Sequence, residues 1–590
     1  NWAAGWTYAD ENGLFTDSGL ALQAITVVKP PNTIDTDTTW DSDSDGDGRV
    51  DRIYYMDEAI FVGDFSATPT TRPTLTIAPG TIVAATGSFT GTDGLDVGSL
   101  VIAQTGAINA EGTPNEPIVF TSAAEAEFLY GLDIDGDGEI NTVKPDPVGG
   151  SAGGADGGAW GGVLILGNAP INFYNSPDNN LGVFSVEGFA QNAGGSDIFY
   201  GGDDPADNSG IFRYASIRFG GFEFAQDEEI NGLTMAGVGS GTTIDHVEVV
   251  ANTDDGFEWF GGTVSTSHLF ALYCQDESFD FDEGHQGVHQ FLYAIQSNLS
   301  DNAVEADGGN RTGSGVKTGE PLTTTRIFNA TFVGAPGASD AFRMKDNFAG
   351  QFHNSIFTKI GDDLIRIDDA PTIGQVGGNL VFNYNLFGTP GDSETHNSLD
   401  AVDGDGNPDL GARASAQAEA DLLAQAGNVL DAVVDFSWVV ENGAGEVTKM
   451  DPRPIIATSP AWGSELLDGA PVPVAYRGAF GSELWTSTWT YGSKEGIVTN
   501  AFYDVTTPDA TVIEGDEVKL TSSSFDGTTF TINFVAEAGA NYKVTQSLTL
   551  QGPFTDVAGA TLTDAPEAAS IAFPAPAATK AFFRIELDEE

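Results

Sequence analysis

The sequence predicts an all-β chain in which a long parallel β-helix precedes a C-terminal β-sandwich. Three observations carry that expectation. The middle of the chain repeats every 22 to 25 residues, each repeat alternates apolar with charged residues, and glycine makes up 74 of 590 residues without a collagen period. A short regular repeat built of strand-like alternation and tight turns is the mark of a solenoid whose coils pair with their neighbours.

The repeat is read from five segments: Asp254-Asp255-Gly256-Phe257-Glu258-Trp259, Asp276-Glu277-Ser278-Phe279-Asp280-Phe281, Asp301-Asn302-Ala303-Val304-Glu305-Ala306, Ser339-Asp340-Ala341-Phe342-Arg343-Met344 and Asp362-Asp363-Leu364-Ile365-Arg366-Ile367. Their starts are 22, 25, 38 and 23 residues apart, the long step containing a Gly/Thr-rich insert near 308–325. Each segment is a polar corner followed by period-two alternation, so Phe257, Phe279, Val304, Phe342 and Ile365 are expected to stack inward. A second register, Phe328-Asn329, His353-Asn354 and Phe382-Asn383, suggests an internal asparagine ladder at a coil corner.

Strand-like runs at 75–83, 99–102, 117–122 and 161–167 extend the pattern upstream. The expected organisation is an N-terminal segment with a cap at 1–64, a β-helix at 65–410, a helical or irregular closing segment at 411–496 and a sandwich at 497–590. Ala, Leu, Glu and Gln over 412–434 predict a short helix that covers the coil stack. Trp2-Ala3-Ala4-Gly5-Trp6-Thr7-Tyr8 is echoed by Trp485-Thr486-Ser487-Thr488-Trp489-Thr490-Tyr491, which suggests similar aromatic surfaces at the two ends.

On residues 75–83, 106–113, 117–122, Trp160-Gly161-Gly162 and above all 254–263, the chain resembles a family of secreted bacterial pectin-lyase-like β-helix surface proteins of largely unassigned function. The likeness covers roughly residues 65–490, and it implies export and a right-handed helix without supplying an activity. The last domain resembles the small C-terminal β-domains of secreted proteins of the Verrucomicrobia type.

Charge narrows the function. With 86 acidic and 23 basic residues the formal charge is −63, which argues against nucleic acid and against anionic membrane surfaces. Hydrophobic residues at 40% are too many for a disordered acidic tail. Cys274 is the single cysteine, so no intrachain disulfide forms, and it reads as a buried small hydrophobe. No run of about 18 apolar residues exists to span a membrane. The chain opens at Asn1 with neither Met nor an apolar leader, the expectation for a mature extracellular or cell-surface protein after removal of an N-terminal signal.

Calcium is the expected ion. Asp43-Ser44-Asp45-Gly46-Asp47-Gly48-Arg49-Val50-Asp51 places carboxylates at positions 1, 3, 5 and 9 around a turn glycine, with Arg49 offering its backbone carbonyl. Position 12 holds Tyr54 instead of the bidentate Glu, so the loop resembles those of dockerins and thrombospondin repeats. The pattern returns at Asp133, Asp135, Asp137, Glu139 and Asn141, and more weakly at Asp403, Asp405, Asn407 and Asp409, where Ala401 stands in the first place.

Glu258, Asp280, Glu305, Arg343 and Arg366 are expected to share one outward column on successive coils. Carboxylates stacked about 5 Å apart repel unless cations or donors intervene. The column reads either as a charge ladder or as a catalytic groove, because Asp254, Asp276, Glu277, His285, Arg343 and Lys345 resemble the ordered set of polygalacturonase-type glycosidases. That set departs from the family: Gln286 replaces a glycine, and His285 follows Asp276 too soon. A lyase needs an unpaired base, and Arg343 faces acids. His285 and His289, four apart in a strand-rich region, are not expected to meet as a zinc pair. Two functions follow from these residues. The first is a calcium-stabilised structural or adhesive protein that self-associates through its ends into a fibre or surface layer; the other is a secreted enzyme or binding module for anionic polysaccharide.

Overall fold

The computed structural model describes residues 25–499, apart from position 47 and residues 88–94, 149–155, 173–183, 187–188, 190–197, 225–228, 310–318, 390–411, 435, 455–459, 462–463, 465–466 and 468, together with the strands beyond 499. The chain divides into two compact units, 1–504 and 505–590.

The first unit is a parallel β-helix. Ten parallel strands, from Thr33–Ile34 to Arg366–Ile367, stack coil on coil to form one face, and a 17-stranded sheet wraps the rest of the coil. The register on the ten-stranded face follows the sequence repeat: Phe257 pairs with Phe279, Phe279 with Val304 and Val304 with Phe342. All four are fully buried, as is Ile365. Aromatic rings continue the register through the core, with Phe257 on Phe279 at 5.5 Å and Trp259 on Phe281 at 4.5 Å. Each such buried ring contributes roughly 1.5–3 kcal/mol, so the inward column is a main source of cohesion between coils.

The larger sheet bends at one corner in seven successive coils. Tyr214, His246, His268, Phe291, Asn329, Asn354 and Tyr384 occupy it, all with left-handed backbone between φ 47 and 62. Asparagine tolerates this region, but Tyr, His and Phe do so rarely. The corner therefore depends on packing from outside. The expected asparagine ladder is displaced by one residue at its third step, since Asn383 pairs with His353 inside a strand and Tyr384 takes the turn. The inner ladder is made by Ser355 and Asn385 instead: Ala330 N donates to Ser355 Oγ at 2.9 Å, and Ser355 N to Asn385 Oδ1 at 2.9 Å.

The helix Ala412–Leu423 packs its Ala418 and Leu422 into the main core beside the last coils. The described residues between 436 and 499 take a course that the sequence does not predict. They run back along the outside of the larger sheet, where Val447, Met450, Phe480, Leu484, Tyr491 and Val498 form a second core with Phe270, Leu272, Tyr273 and Tyr293. The Trp485–Tyr491 echo belongs to this strap and lies along the side of the solenoid, with Trp489 fully buried, so it is no end surface. Its partner at 2–8 lies outside the described residues. Ile497 and Val498 belong with the strap because they pack beside Met450.

The second unit is a β-sandwich of two antiparallel sheets. One contains Lys519–Phe525, Thr529–Val535 and Ala568–Pro574, the other Thr555–Leu562, Tyr542–Ser547 and Phe582–Leu587.

Candidate functional site: the acidic face

On the ten-stranded face the outward column has the expected register: Thr234, Glu258, Asp280, Glu305, Arg343 and Arg366 lie side by side on successive strands. A neighbouring column brings Asp282, Asp307 and Lys345 alongside. At the corner before each strand a ladder ties coil to coil. Glu277 N donates to Asp255 Oδ1 at 2.9 Å, Asn302 Nδ2 to Glu277 Oε1 at 2.6 Å, Asp340 N to Asn302 Oδ1 at 3.2 Å and Asp363 N to Asp340 Oδ1 at 3.0 Å. Asp255 and Glu277 are thus structural acceptors whose side chains hold the next coil.

The columns end in opposite charge. Arg343 donates to Glu305 at 3.1 Å and to Asp368 at 3.0 Å, while Lys345 pairs with Glu305 and lies 3.5 Å from Asp307. These cations cover only one end of the face. Toward Asp254, carboxylate oxygens crowd without a basic side chain between them among the described residues: Asp254, Asp255 and Asp276 offer oxygens within 4.8 Å of one another, as do Asp255, Glu258 and Asp280, and Asp276, Glu277 and Asp301. Burial, with the charge of Asp276 added, pushes the Asp254 carboxyl up to about 7. Burial and the charge of Asp282 do the same for Asp280, whose buried Oδ1 accepts no hydrogen bond among the described residues. Burial drives Asp255 and Glu277 well above the ordinary carboxylate range.

The structure separates the six residues of the glycosidase-like set. Asp254 and Asp276 are neighbours, Glu277 is buried in the corner ladder, and Arg343 and Lys345 are held in ion pairs. His285 is inside the coil, fully buried between Trp259 and Phe281. It meets His289 after all, at 3.0 Å between Nε2 atoms, with His285 lying just before the strand Val288–Ile295 that carries His289. The hydrogen bonds assign both tautomers. His285 Nδ1 donates to Gly261 O at 2.8 Å, so its Nε2 accepts from Gly287 N and His289 Nε2, and His289 Nδ1 accepts from Thr266 Oγ1 at 2.7 Å. Burial lowers both imidazoles, His285 to about 4. Every ring nitrogen is occupied, leaving no lone pair for a metal. Cys274 is buried, its thiol pushed up to about 12 by burial, which removes it as a nucleophile.

The two Asp-rich loops fold alike. In the first, Asp43 accepts from Gly46 N at 2.9 Å and Gly48 N at 2.8 Å; in the second, Asp133 accepts from Gly136 N at 2.8 Å and Gly138 N at 3.0 Å. All four glycines are left-handed, φ 76 to 90, where a side chain is strained. In the first loop Asp51 closes the turn by accepting from Ser44 N at 3.1 Å, and Asp47 lies outside the described residues. Asp403, Asp405, Asn407 and Asp409 lie outside them too.

The second loop has a partner that the spacing did not reveal. Glu127, buried on the helix Ala123–Tyr130, accepts from Ile134 N at 3.1 Å and from Asn141 N at 3.0 Å. Oxygens of Glu127, Asp133 and Asp135 lie within 4.8 Å of one another. Oxygens sharing one calcium at about 2.3–2.6 Å stand no more than about 5 Å apart, so this donor set fits that ion. Burial pushes the Asp135 carboxyl up, with the charges of Glu127, Asp137 and Asp133 adding to it against a hydrogen bond from the Asp137 amide.

Among the described residues no helix is long and apolar enough to cross a membrane. A search of curated proteins found no match to the chain. The sequence profile of the pectate-lyase-like β-helix domain matches residues 66–155 and 149–403, together more than half of the chain. The parallel coils, their stacked inward columns and this match lead to one conclusion: the chain belongs to the pectate-lyase-like β-helix family.

Proposed function

We propose that this protein is an extracellular, calcium-stabilised surface scaffold with a structural or adhesive role, joined to further copies through the ends of its solenoid. Its family fits a polysaccharide-related or surface protein. The observation that carries the scaffold reading is the commitment of every basic group in the candidate catalytic set. Arg343 and Lys345 neutralise Glu305, Asp307 and Asp368, and His285 is sealed in the core, so no basic group of this set is left unpaired beside the acidic corner. The pair Asp254 and Asp276, with oxygens within 4.8 Å, is also closer than the about 6.5–9.5 Å that an inverting glycosidase needs to seat water.

Calcium would be held by Glu127, Asp133 and Asp135 and by the loop of Asp43, where it supplies charge balance and fixes the turns. Assembly through the ends is supported by the first coil, whose strands Thr26–Val28, Thr33–Ile34 and Thr38–Trp40 pair on one side only among the described residues. The direct test is incubation of the full chain with polygalacturonate or alginate in calcium. No reducing or unsaturated ends are expected; their release, lost in Asp254→Asn, would overturn the scaffold reading. Electron microscopy in calcium buffer tests assembly, and discrete monomers at all concentrations would refute it.

A further inference from the structure

Where the strap crosses the bent corner it leaves a cavity of about 190 Å³, lined by His268, Phe291, Tyr476, Ser482, Glu483 and Trp485 among others. One wall is formed by His268 and Phe291, the end of a stack of rings from four successive coils. Tyr214, His246, His268 and Phe291 have centroids 4.4, 4.1 and 4.8 Å apart. Asp245 fixes the two imidazoles, its carboxylate lying 2.8 Å from His246 Nδ1 and 3.0 Å from His268 Nδ1. Both faces of His268 are covered by His246 and Phe291, so its edge meets Trp485, at 5.2 Å and 72°. With Nδ1 tied to Asp245 and Ser267, Nε2 is left as a lone-pair acceptor with no protein partner among the described residues.

The chemistry of the wall selects the ligand. Phe291 stacks on His268 and Trp485 on Phe480; with Tyr476 they supply aromatic surface, Glu483 a carboxylate, His268 an acceptor nitrogen and Ser482 a hydroxyl, while no Lys or Arg lines the cavity. The charge of Glu483 reaches both rings, raising Tyr476 after burial and opposing the burial that lowers His268. Such a wall attracts positive charge, and its side-chain donors to a ligand are limited to the neutral hydroxyls of Ser482 and Tyr476. Anionic sugars and phosphates are therefore excluded. A divalent metal shared by His246 and His268 is disfavoured as well, because their planes are 19° apart and the lone pairs run alongside instead of converging. The size is below the roughly 300 Å³ of the smallest drug-sized sites, room for one small head group.

We infer that this cavity binds the ammonium head of a small organic cation, seated against Phe291, Tyr476 and Trp485 with Glu483 as its counter-charge. The site is independent of the acidic face and of any calcium. A quaternary and a primary ammonium share this chemistry, and the test separates them. The full chain is titrated by calorimetry and tryptophan fluorescence with choline, with glucosamine, with the uncharged carbon isostere of choline and with glucose. Saturable binding of one or both cations is expected, with neither neutral compound competing; choline alone indicates a quaternary head and glucosamine alone a primary amine. Glu483→Gln, at an exposed position, weakens binding about threefold to tenfold, and Tyr476→Leu weakens it further, with the Glu483→Gln melting midpoint unchanged. Neutral compounds binding as tightly as the cations would overturn the inference. So would the absence of saturation by either cation up to about 50 mM, or affinity unchanged in Glu483→Gln.

Discussion

The two long faces of this β-helix both bury carboxylates, yet they resolve the charge differently. On the larger sheet Glu125 meets Arg218 at 3.3 Å, and Glu248 accepts from Ser216 Oγ at 2.7 Å, Tyr491 N at 2.6 Å and Gly492 N at 3.0 Å. Arg218 also sits 5.0 Å over the Tyr491 ring. The strap therefore brings donors to the acids it covers. On the ten-stranded face nothing comparable among the described residues covers Asp254, Asp276 and Asp280, whose carboxyls are pushed up by burial and by neighbouring carboxylates, against the charges of Arg343 and Lys345 at Asp276 and of Lys345 at Asp280. The difference teaches that acidity in this chain is of two kinds: one completed by the protein, the other left to protons or cations.

Breaking the completed side should have the largest effect. Arg218→Ala strands Glu125 and Glu248 in a dry interface and should lower stability by about 3–5 kcal/mol, read from denaturant midpoints. A neutral result would mean that the strap is held by its apolar core alone. Inside the coil, His289→Leu leaves Thr266 without its acceptor and should cost about 1–3 kcal/mol at pH 8. The sign with pH is fixed by the lowered imidazoles. Stability from a neutral buried His is fully present above the unfolded value of 6.5 and is lost as pH falls toward about 4, the value of His285. The gap between His289→Leu and the wild type should therefore narrow below pH 6.5, and a constant gap would contradict the neutral pair.

The open face predicts the opposite slope. A carboxyl whose folded value is raised to about 7, as for Asp280, contributes favourably below its unfolded value of 3.8, and that contribution is lost as pH rises through 7. Asp280→Asn should stabilise the cation-free chain by about 1–2 kcal/mol at pH 8 and by little at pH 4. Destabilisation at pH 8 would show that the carboxylate is already satisfied. The smallest effect is expected at the loops. Asp133→Ala should remove about 1 kcal/mol in calcium and much less in chelator, measured by thermal melts, and equal losses in both would separate the loop from any ion.

The coil repeat was legible because period-two alternation and a fixed spacing survive in residues such as Phe257, Glu258 and Trp259, so the outward column of Glu258, Asp280, Glu305, Arg343 and Arg366 follows from the sequence alone. The strap was not legible. Its anchors join Glu248 to Tyr491 and Tyr273 to Val447, distant in sequence, and no periodicity marks them. The bent corner was missed where Tyr, His and Phe stand in place of asparagine, since local preference points elsewhere. His285 and His289 were misjudged because residues four apart share a face at period two, and His285 lies just outside the strand that carries His289. Glu127 escaped because it reaches the second loop from the preceding helix, outside the loop's own spacing.

The central claim is that the uncompleted acids make the fold depend on cations. Calorimetric melting of the full chain at pH 7.5, in chelator and then in millimolar calcium, tests it most directly. The account predicts a higher midpoint in calcium, by an increment that shrinks in Asp133→Ala and again at pH 5, where protons rather than cations would neutralise Asp254 and Asp280. An identical midpoint with and without calcium at pH 7.5 would contradict it.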